Sequence, residues 1–285
     1  MPNFRNLPLF FFTWLLIGCS AIGKEEPTPT LVPATPIPTQ ISSDNMAVIL
    51  VSEGQFLNAH LDPNEESAVV ETIPATAIQI PRMGQEKDKA EVLWAEIQTS
   101  TTEASWVHAH YLTEYIPPAD FCLDSRVQLL LDDLKFALEN DDEALFASLV
   151  SPAHGLDLRY YRYGTLANYT REEAKWAFSS EYTVNWGHEP GSGNEKIGTF
   201  SEIPLPMLKE VFGANYVLYC NNADTAETFA PEPWPYEYTN INYYQVFKPG
   251  TEEYANMDWR SWLVGIEYVE GKPYLFALIL FQWTP

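Results

Sequence analysis

Basic residues are scarce in this 285-residue sequence, which has 16 Lys and Arg against 39 Asp and Glu and a formal net charge of −23. A surface of that sign repels nucleic-acid phosphates, so we do not expect nucleic-acid binding. The sequence also lacks a P-loop, a dinucleotide-binding glycine motif, a Gly-x-Ser-x-Gly elbow and an Asp-rich calcium loop. We therefore expect no cofactor, no metal and no enzymatic activity.

Long apolar stretches are also lacking, apart from residues 7–18 (LPLFFFTWLLIG). At about 12 residues this stretch is too short to cross a bilayer core, and Arg5 precedes it, which favours a secretory signal peptide. It ends in Leu16-Ile17-Gly18-Cys19, which resembles the lipobox of bacterial lipoproteins. The resemblance implies a signal peptide at 1–18, a lipidated Cys19 and an anchor on the extracytoplasmic face of the cell membrane.

Residues 19–45 carry five prolines in a Thr-rich context. Such a composition favours polyproline II conformation, in which some 20 residues extend roughly 60 Å. The sequence therefore predicts a semi-rigid spacer between the anchor and the folded chain.

Residues 46–116 show short β-type segments divided by polar turns, a pattern typical of a small all-β barrel. Leu57-Asn58-Ala59-His60, the central Trp94-Ala95-Glu96-Ile97 and the closing segment 105–112 (SWVHAHYL) resemble the bacterial SH3-like family. This resemblance implies an SH3-like barrel that binds peptidoglycan or an envelope protein.

Pro117-Pro118 marks a boundary, and we expect an α+β domain at 119–285. Apolar residues from Val127 to Leu138 recur at helical spacing, with Asp124 or Ser125 as the cap. Further helices are predicted at 142–150, from Thr170 onwards, and at 206–212, the last ending in a left-handed cap at Gly213. Strands at 215–220, 241–247, 262–269 and 274–283 predict an antiparallel meander on which the helices pack.

The tail of this domain also resembles the C-terminal region of bacterial envelope proteins that share Thr-Pro linkers. That resemblance rests on segments 248–251, 258–260, 265–268 and 273–275, and it transfers no activity.

Cysteine is rare, and a lipidated Cys19 would leave Cys122 and Cys220 as an even pair in an oxidising compartment. We expect a disulfide between them, with two buried thiols as the alternative. A rival hypothesis makes the protein a cell-wall cysteine peptidase of the NlpC type. In that case Cys122 would be the nucleophile at a helix start and His188, in a Gly-rich loop, the base.

Other candidate side chains are histidines and aromatics. His108 and His110 have a metal-like spacing, but without a nearby third ligand we expect them to face solvent from one strand. His154 is expected to end a helical region. Aromatic residues cluster in two places, where we expect them to pack the sheet and its covering loops, the alternative being a binding surface for a carbohydrate or peptide. These residues are Tyr160, Tyr161, Tyr163, Trp234, Tyr236 and Tyr238.

Overall fold

The computed structural model describes residues 44–89, 91–101, 104–223 and 234–283. Over these ranges the protein is α+β, as predicted, and it has more strand than helix. The predicted signal peptide, Cys19 and nearly all of the predicted spacer lie outside the described residues.

The N-terminal sheet contains seven antiparallel strands in the order β3-β2-β6-β5-β4-β1-β7. Alternation along the strands directs small and aliphatic residues such as Leu57, Ala95 and Val107 into one apolar core. The strands are β1 (Asn45–Val48), β2 (Phe56–His60), β3 (Val69–Pro74), β4 (Ile80–Lys89), β5 (Val92–Ile97), β6 (Ser105–His108) and β7 (Leu112–Glu114).

Five helices follow within the described residues, and none of these is long and apolar enough to cross a membrane. They are α1 (Pro118–Leu123), α2 (Ser125–Glu139), α3 (Glu143–Leu149), α4 (Arg171–Ala174) and α5 (Pro204–Phe212). Asp124 caps α2 by accepting the Arg126 backbone N–H at 3.0 Å. Thr170 and Glu173 form the predicted capping box of α4.

The predicted left-handed cap at Gly213 is wrong, because this glycine has a φ of −80° and continues the right-handed path. Its backbone N–H donates to the Lys209 carbonyl at 2.9 Å. A Cβ at this position would lie 2.8 Å from the same carbonyl oxygen. Close approach of the backbone is therefore the physical reason for glycine here, rather than a positive φ.

The C-terminal sheet has six strands in the order β12-β13-β14-β15-β8-β9, and a separate hairpin joins β10 to β11. The strands are β8 (Leu156–Arg159), β9 (Leu166–Tyr169), β10 (Val184–His188), β11 (Glu195–Gly198), β12 (Val217–Cys220), β13 (Asn242–Lys248), β14 (Arg260–Val269) and β15 (Lys272–Gln282). The prediction of a purely antiparallel meander is corrected at one place, since β8 pairs with β15 in parallel.

Strand β15 is buried on both faces, as its uninterrupted apolar sequence predicts. Leu275 and Leu278 face the core that the helices cover. Phe276 and Ile279 face a second cluster, which also contains Ile49 from the N-terminal part of the chain. One face of β15 is therefore covered partly by the segment that follows β1.

Polar contacts also join the two sheets. The Asn240 side-chain Nδ2 lies 2.7 Å from the Val48 carbonyl oxygen. It lies 3.1 Å from the carbonyl oxygens of both Ala75 and Ala77. The Leu50 backbone N–H donates to the Glu237 carbonyl at 2.8 Å. The described residues accordingly belong to one compact unit.

Candidate functional site

A groove of about 520 Å³ lies on the N-terminal sheet. We call it the His60 groove, and its chemistry comes from six of its lining side chains: Phe56, Asn58, His60, Glu65, His108 and Tyr111. Strand β2 supplies the first three and the end of β6 supplies His108, so that paired strands hold most of the polar groups. Phe56 is 58% exposed and presents its ring at the surface.

Trp94 supports the two histidines of this groove. Its indole is 2% exposed and meets both imidazoles edge-on, with ring centroids 5.4 Å from His60 and 4.6 Å from His108. Edge-to-face contacts of this kind restrict ring orientation. The two imidazoles are therefore held in place by packing rather than left free to rotate.

Hydrogen bonds determine which ring nitrogen of each imidazole carries a proton. His60 Nδ1 lies 3.0 Å from the Ser67 carbonyl oxygen, which can only accept, so Nδ1 carries a proton. His108 Nε2 lies 3.2 Å from Glu65 Oε1 and donates to that carboxylate. His60 is 8% exposed, and its Nε2 has no hydrogen-bond partner among the described residues.

A second cavity, of about 470 Å³, lies between the two sheets. We call it the Glu267 cleft. Arg82, His110 and Glu114 line it from the N-terminal side, whereas His154 and Glu267 line it from the C-terminal side.

Glu267 is 2% exposed and is the centre of a buried polar cluster. Its Oε2 lies 2.7 Å from His154 Nδ1, and its Oε1 accepts the Ser151 hydroxyl. His154 Nε2 lies 3.1 Å from the His110 carbonyl oxygen, so this ring connects the two sides of the cleft. The expectation that His154 merely ends a helical region therefore missed its main contact.

The order of these groups argues against nucleophilic catalysis. In a serine hydrolase the imidazole lies between the hydroxyl and the carboxylate, where it can take the hydroxyl proton. Here the carboxylate of Glu267 lies between Ser151 and His154. The cluster therefore acts as a charge-neutralising hydrogen-bond network.

Three side chains that line the cleft have pKa values shifted from their usual ones. Burial by itself lowers the pKa of His154, but the hydrogen bond and charge of Glu267, with smaller contributions from the His110 carbonyl and Asp157, raise it above its usual value. Burial and the neighbouring His154 lower the pKa of His110. Burial raises the pKa of the Glu114 carboxyl, although the Gly271 and Glu270 backbone N–H groups oppose that shift.

Cys122 and Cys220 form a disulfide, with Cα atoms 5.9 Å apart. The bridge joins α1 to β12 across 98 residues of sequence. Because its sulfur is bonded, Cys122 provides no thiolate, and the peptidase alternative loses its nucleophile. His188 was predicted to lie in a loop, whereas in the structure it is the last residue of strand β10.

Most of the predicted aromatic surface is core. Tyr160 and Tyr161 are 6% and 8% exposed, and Tyr238 is fully buried with its hydroxyl donating to Asp157. Trp234 stacks on Tyr243, with ring centroids 4.4 Å apart. These rings pack the sheet and its covering segments.

The two remaining predicted aromatics have different surroundings. Tyr236 is partly buried against the core of the N-terminal sheet. Tyr163 is 73% exposed, with the Arg162 guanidinium over its ring. Of these six predicted rings, Tyr163 alone is mostly exposed.

The two closely spaced histidines do not share a strand face. His108 ends β6, whereas His110 lies in the short 3₁₀ helix Ala109–Tyr111. Across the described ranges, no group of three or more His, Cys, Asp or Glu side chains is arranged to hold a metal ion.

Comparisons of the chain with protein-family models, curated proteins and solved structures find no significant match.

Proposed function

We propose that the protein is a non-enzymatic lipoprotein, tethered through Cys19 to the extracytoplasmic face of the cell membrane and binding a cell-wall polymer or an envelope protein. The lipobox-like sequence and the proline-rich spacer support the anchor. The acidic composition supports a role outside nucleic-acid binding. The disulfide supports an oxidising compartment.

The binding module in this proposal is the N-terminal sheet, which we take to be a divergent SH3-like barrel. The single observation that carries the proposal is the His60 groove, which an exposed aromatic ring lines together with one buried imidazole, one partly buried imidazole and other polar side chains. Binding sites combine apolar contact area with a few fixed polar groups in this way.

The α+β part was expected to bind an unidentified ligand, with its aromatic residues as a possible surface. Because Tyr160, Tyr161 and Tyr238 are buried, we propose instead that this part supports and orients the N-terminal sheet. Ile49 packs in the apolar cluster on β15, and the Asn240 side chain donates to the Val48 carbonyl, so both residues connect the α+β part with the N-terminal sheet.

A sedimentation assay with purified peptidoglycan tests the binding proposal. The protein should be residues 20–285, because the folded unit includes both sheets. We expect Phe56→Ala to reduce retention by about tenfold, since it removes the exposed ring of the groove. Tyr254→Ala is the matched control, because Tyr254 is an aromatic residue 57% exposed on the C-terminal part. Equal retention of both variants, or no retention of the parent protein, would refute wall binding.

Fractionation of cells tests the anchor separately. A Cys19→Ala variant should move from the membrane fraction to the soluble or medium fraction, because one thioether-linked lipid group is the proposed means of attachment. A variant that stays in the membrane would show that Cys19 lipidation does not hold the protein there.

A further inference from the structure

His60 offers an unused hydrogen-bond acceptor in the groove. Because Nδ1 donates to the Ser67 carbonyl, a neutral His60 has its lone pair on Nε2. The residue is 92% buried, since its exposure is 8%, and it lines the groove. Nε2 has no hydrogen-bond partner among the described residues and is not one of their fully buried unpaired side-chain atoms, so it is open to a donor that enters the groove.

Glu65 adds a negative charge beside this acceptor. Its side chain is 71% exposed and accepts one hydrogen bond from His108. A carboxylate has about four acceptor positions, so Glu65 retains capacity for further donors. His60 and Glu65 together therefore present acceptors to the groove.

An ammonium group matches these acceptors better than a neutral or anionic group does. It carries three donors and no acceptor, so it has enough donors for both side chains. The exposed ring of Phe56 can add a cation–π contact. The net charge of −23 favours a cation and disfavours an anion.

We propose that the His60 groove binds a primary ammonium group, carried by a wall peptide, between His60, Glu65 and the ring of Phe56. This inference rests on the proposed function, because it names the chemical group that the same groove recognises. The carboxylate supplies charge, the imidazole supplies direction and the aromatic ring supplies contact area.

The decisive variant is Glu65→Gln, which removes the charge at an exposed position and should leave the fold intact. Glu66→Gln is its matched control, since Glu66 is the adjacent exposed residue and does not line the groove. We expect Glu65→Gln to weaken retention on peptidoglycan by about tenfold or more, and Glu66→Gln to behave like the parent protein.

Acetylating the free amines of the peptidoglycan should cause a similar loss for the parent protein. The soluble probe is Nα-acetyl-lysine methylamide, and its Nε-acetylated form is the control. In heteronuclear NMR titrations, we expect the free amine to shift the ring signals of His60 and the acetylated form to leave them in place. His60→Gln keeps an acceptor near the Nε2 position and should retain more binding than His60→Leu, with both variants first checked for a native unfolding midpoint.

The outcomes separate this inference from the proposed function. If Phe56→Ala abolishes wall binding but acetylation and Glu65→Gln change nothing, wall binding stands and amine recognition is wrong. If peptidoglycan is not retained but the lysine probe binds at His60, amine recognition by the groove stands, whereas wall binding and the wall peptide as the carrier of the amine are both wrong. If neither binds, both are overturned.

Discussion

Replacing Glu267 by Gln should destabilise the folded protein, because it removes the charge that neutralises a buried imidazolium. The side chains of His154 and Glu267 are 6% and 1% exposed. Breaking a buried ion pair by removing one partner costs about 3–5 kcal/mol. Gln retains one carbonyl acceptor for the cluster, so we expect a loss near the lower end, about 3 kcal/mol. That is a large part of the roughly 5–15 kcal/mol by which a folded domain is stable.

The same pair should make stability fall with rising pH. The folded-state pKa of His154 lies above its usual 6.5, since Glu267 outweighs the effect of burial. The contribution of His154 to the free energy of unfolding is therefore fully present below about pH 6.5. It is lost as the pH rises through the higher folded-state pKa of His154. His110 acts in the opposite direction and below pH 6.5, because its pKa is lowered. The two effects occupy different pH windows and can be separated.

Urea unfolding at about pH 6 and about pH 9 measures the stability cost of Glu267→Gln and the pH dependence of stability. We expect the parent protein to lose stability between these values and Glu267→Gln to lose less. His154→Phe and the double variant complete a cycle whose coupling energy should exceed about 1 kcal/mol. A Glu267→Gln cost below about 1 kcal/mol, or an unchanged pH slope, would show that His154 and Glu267 do not form a stabilising buried ion pair.

Three further predictions concern stability. Reduction of the Cys122–Cys220 disulfide should lower the urea midpoint. The corresponding loss in the free energy of unfolding should be at most about 4.7 kcal/mol for a loop of this length. A Cys122→Ser/Cys220→Ser protein should not respond to the reductant. Asn240→Ala should cost about 1–3 kcal/mol, because buried carbonyls of the N-terminal sheet lose their donor, and amide exchange in β1 should quicken. Gly271→Ala should lower the melting temperature by a few degrees, since Gly271 has a φ of 70° in the tight β14–β15 turn.

Helix α2 was predictable because all of its determinants are local. The apolar stripe from Val127 to Leu138 and the Asp124 cap lie within one short segment, and the structure shows both. The β14–β15 hairpin was predictable for the same reason, since Glu270 and Gly271 form its turn with positive φ at both positions.

Strand β8 was missed because it is short and because β15, one of its two partners, is far away in the sequence. Leu156 to Arg159 is only four residues long, and it pairs in parallel with the last strand of the chain. Its other partner, β9, is close in the sequence but is also only four residues long. Periodicity over so few residues cannot distinguish such a strand from a loop.

The candidate sites were harder to predict than the fold, because their groups come from distant positions. His154 and Glu267 are 113 residues apart, and each looks unremarkable in its own segment. One local sign was available, however. Glu267 is an acidic residue in the middle of an apolar strand, where a carboxylate without a partner would be costly to bury. An isolated acid in such a strand predicts a buried partner, although it does not say which residue that partner is.

The boundary at Pro117-Pro118 is a boundary in the chain rather than in the folded structure. Leu50 lines the His60 groove, and its backbone N–H is bonded to the Glu237 carbonyl of the C-terminal part. Ile49, the preceding residue, is 1% exposed within the cluster that covers β15. Because one edge of the groove is built on the C-terminal part, the α+β part contributes to the shape of the groove. The two sheets are therefore one structural unit, and the N-terminal sheet alone would lack the support that positions that edge.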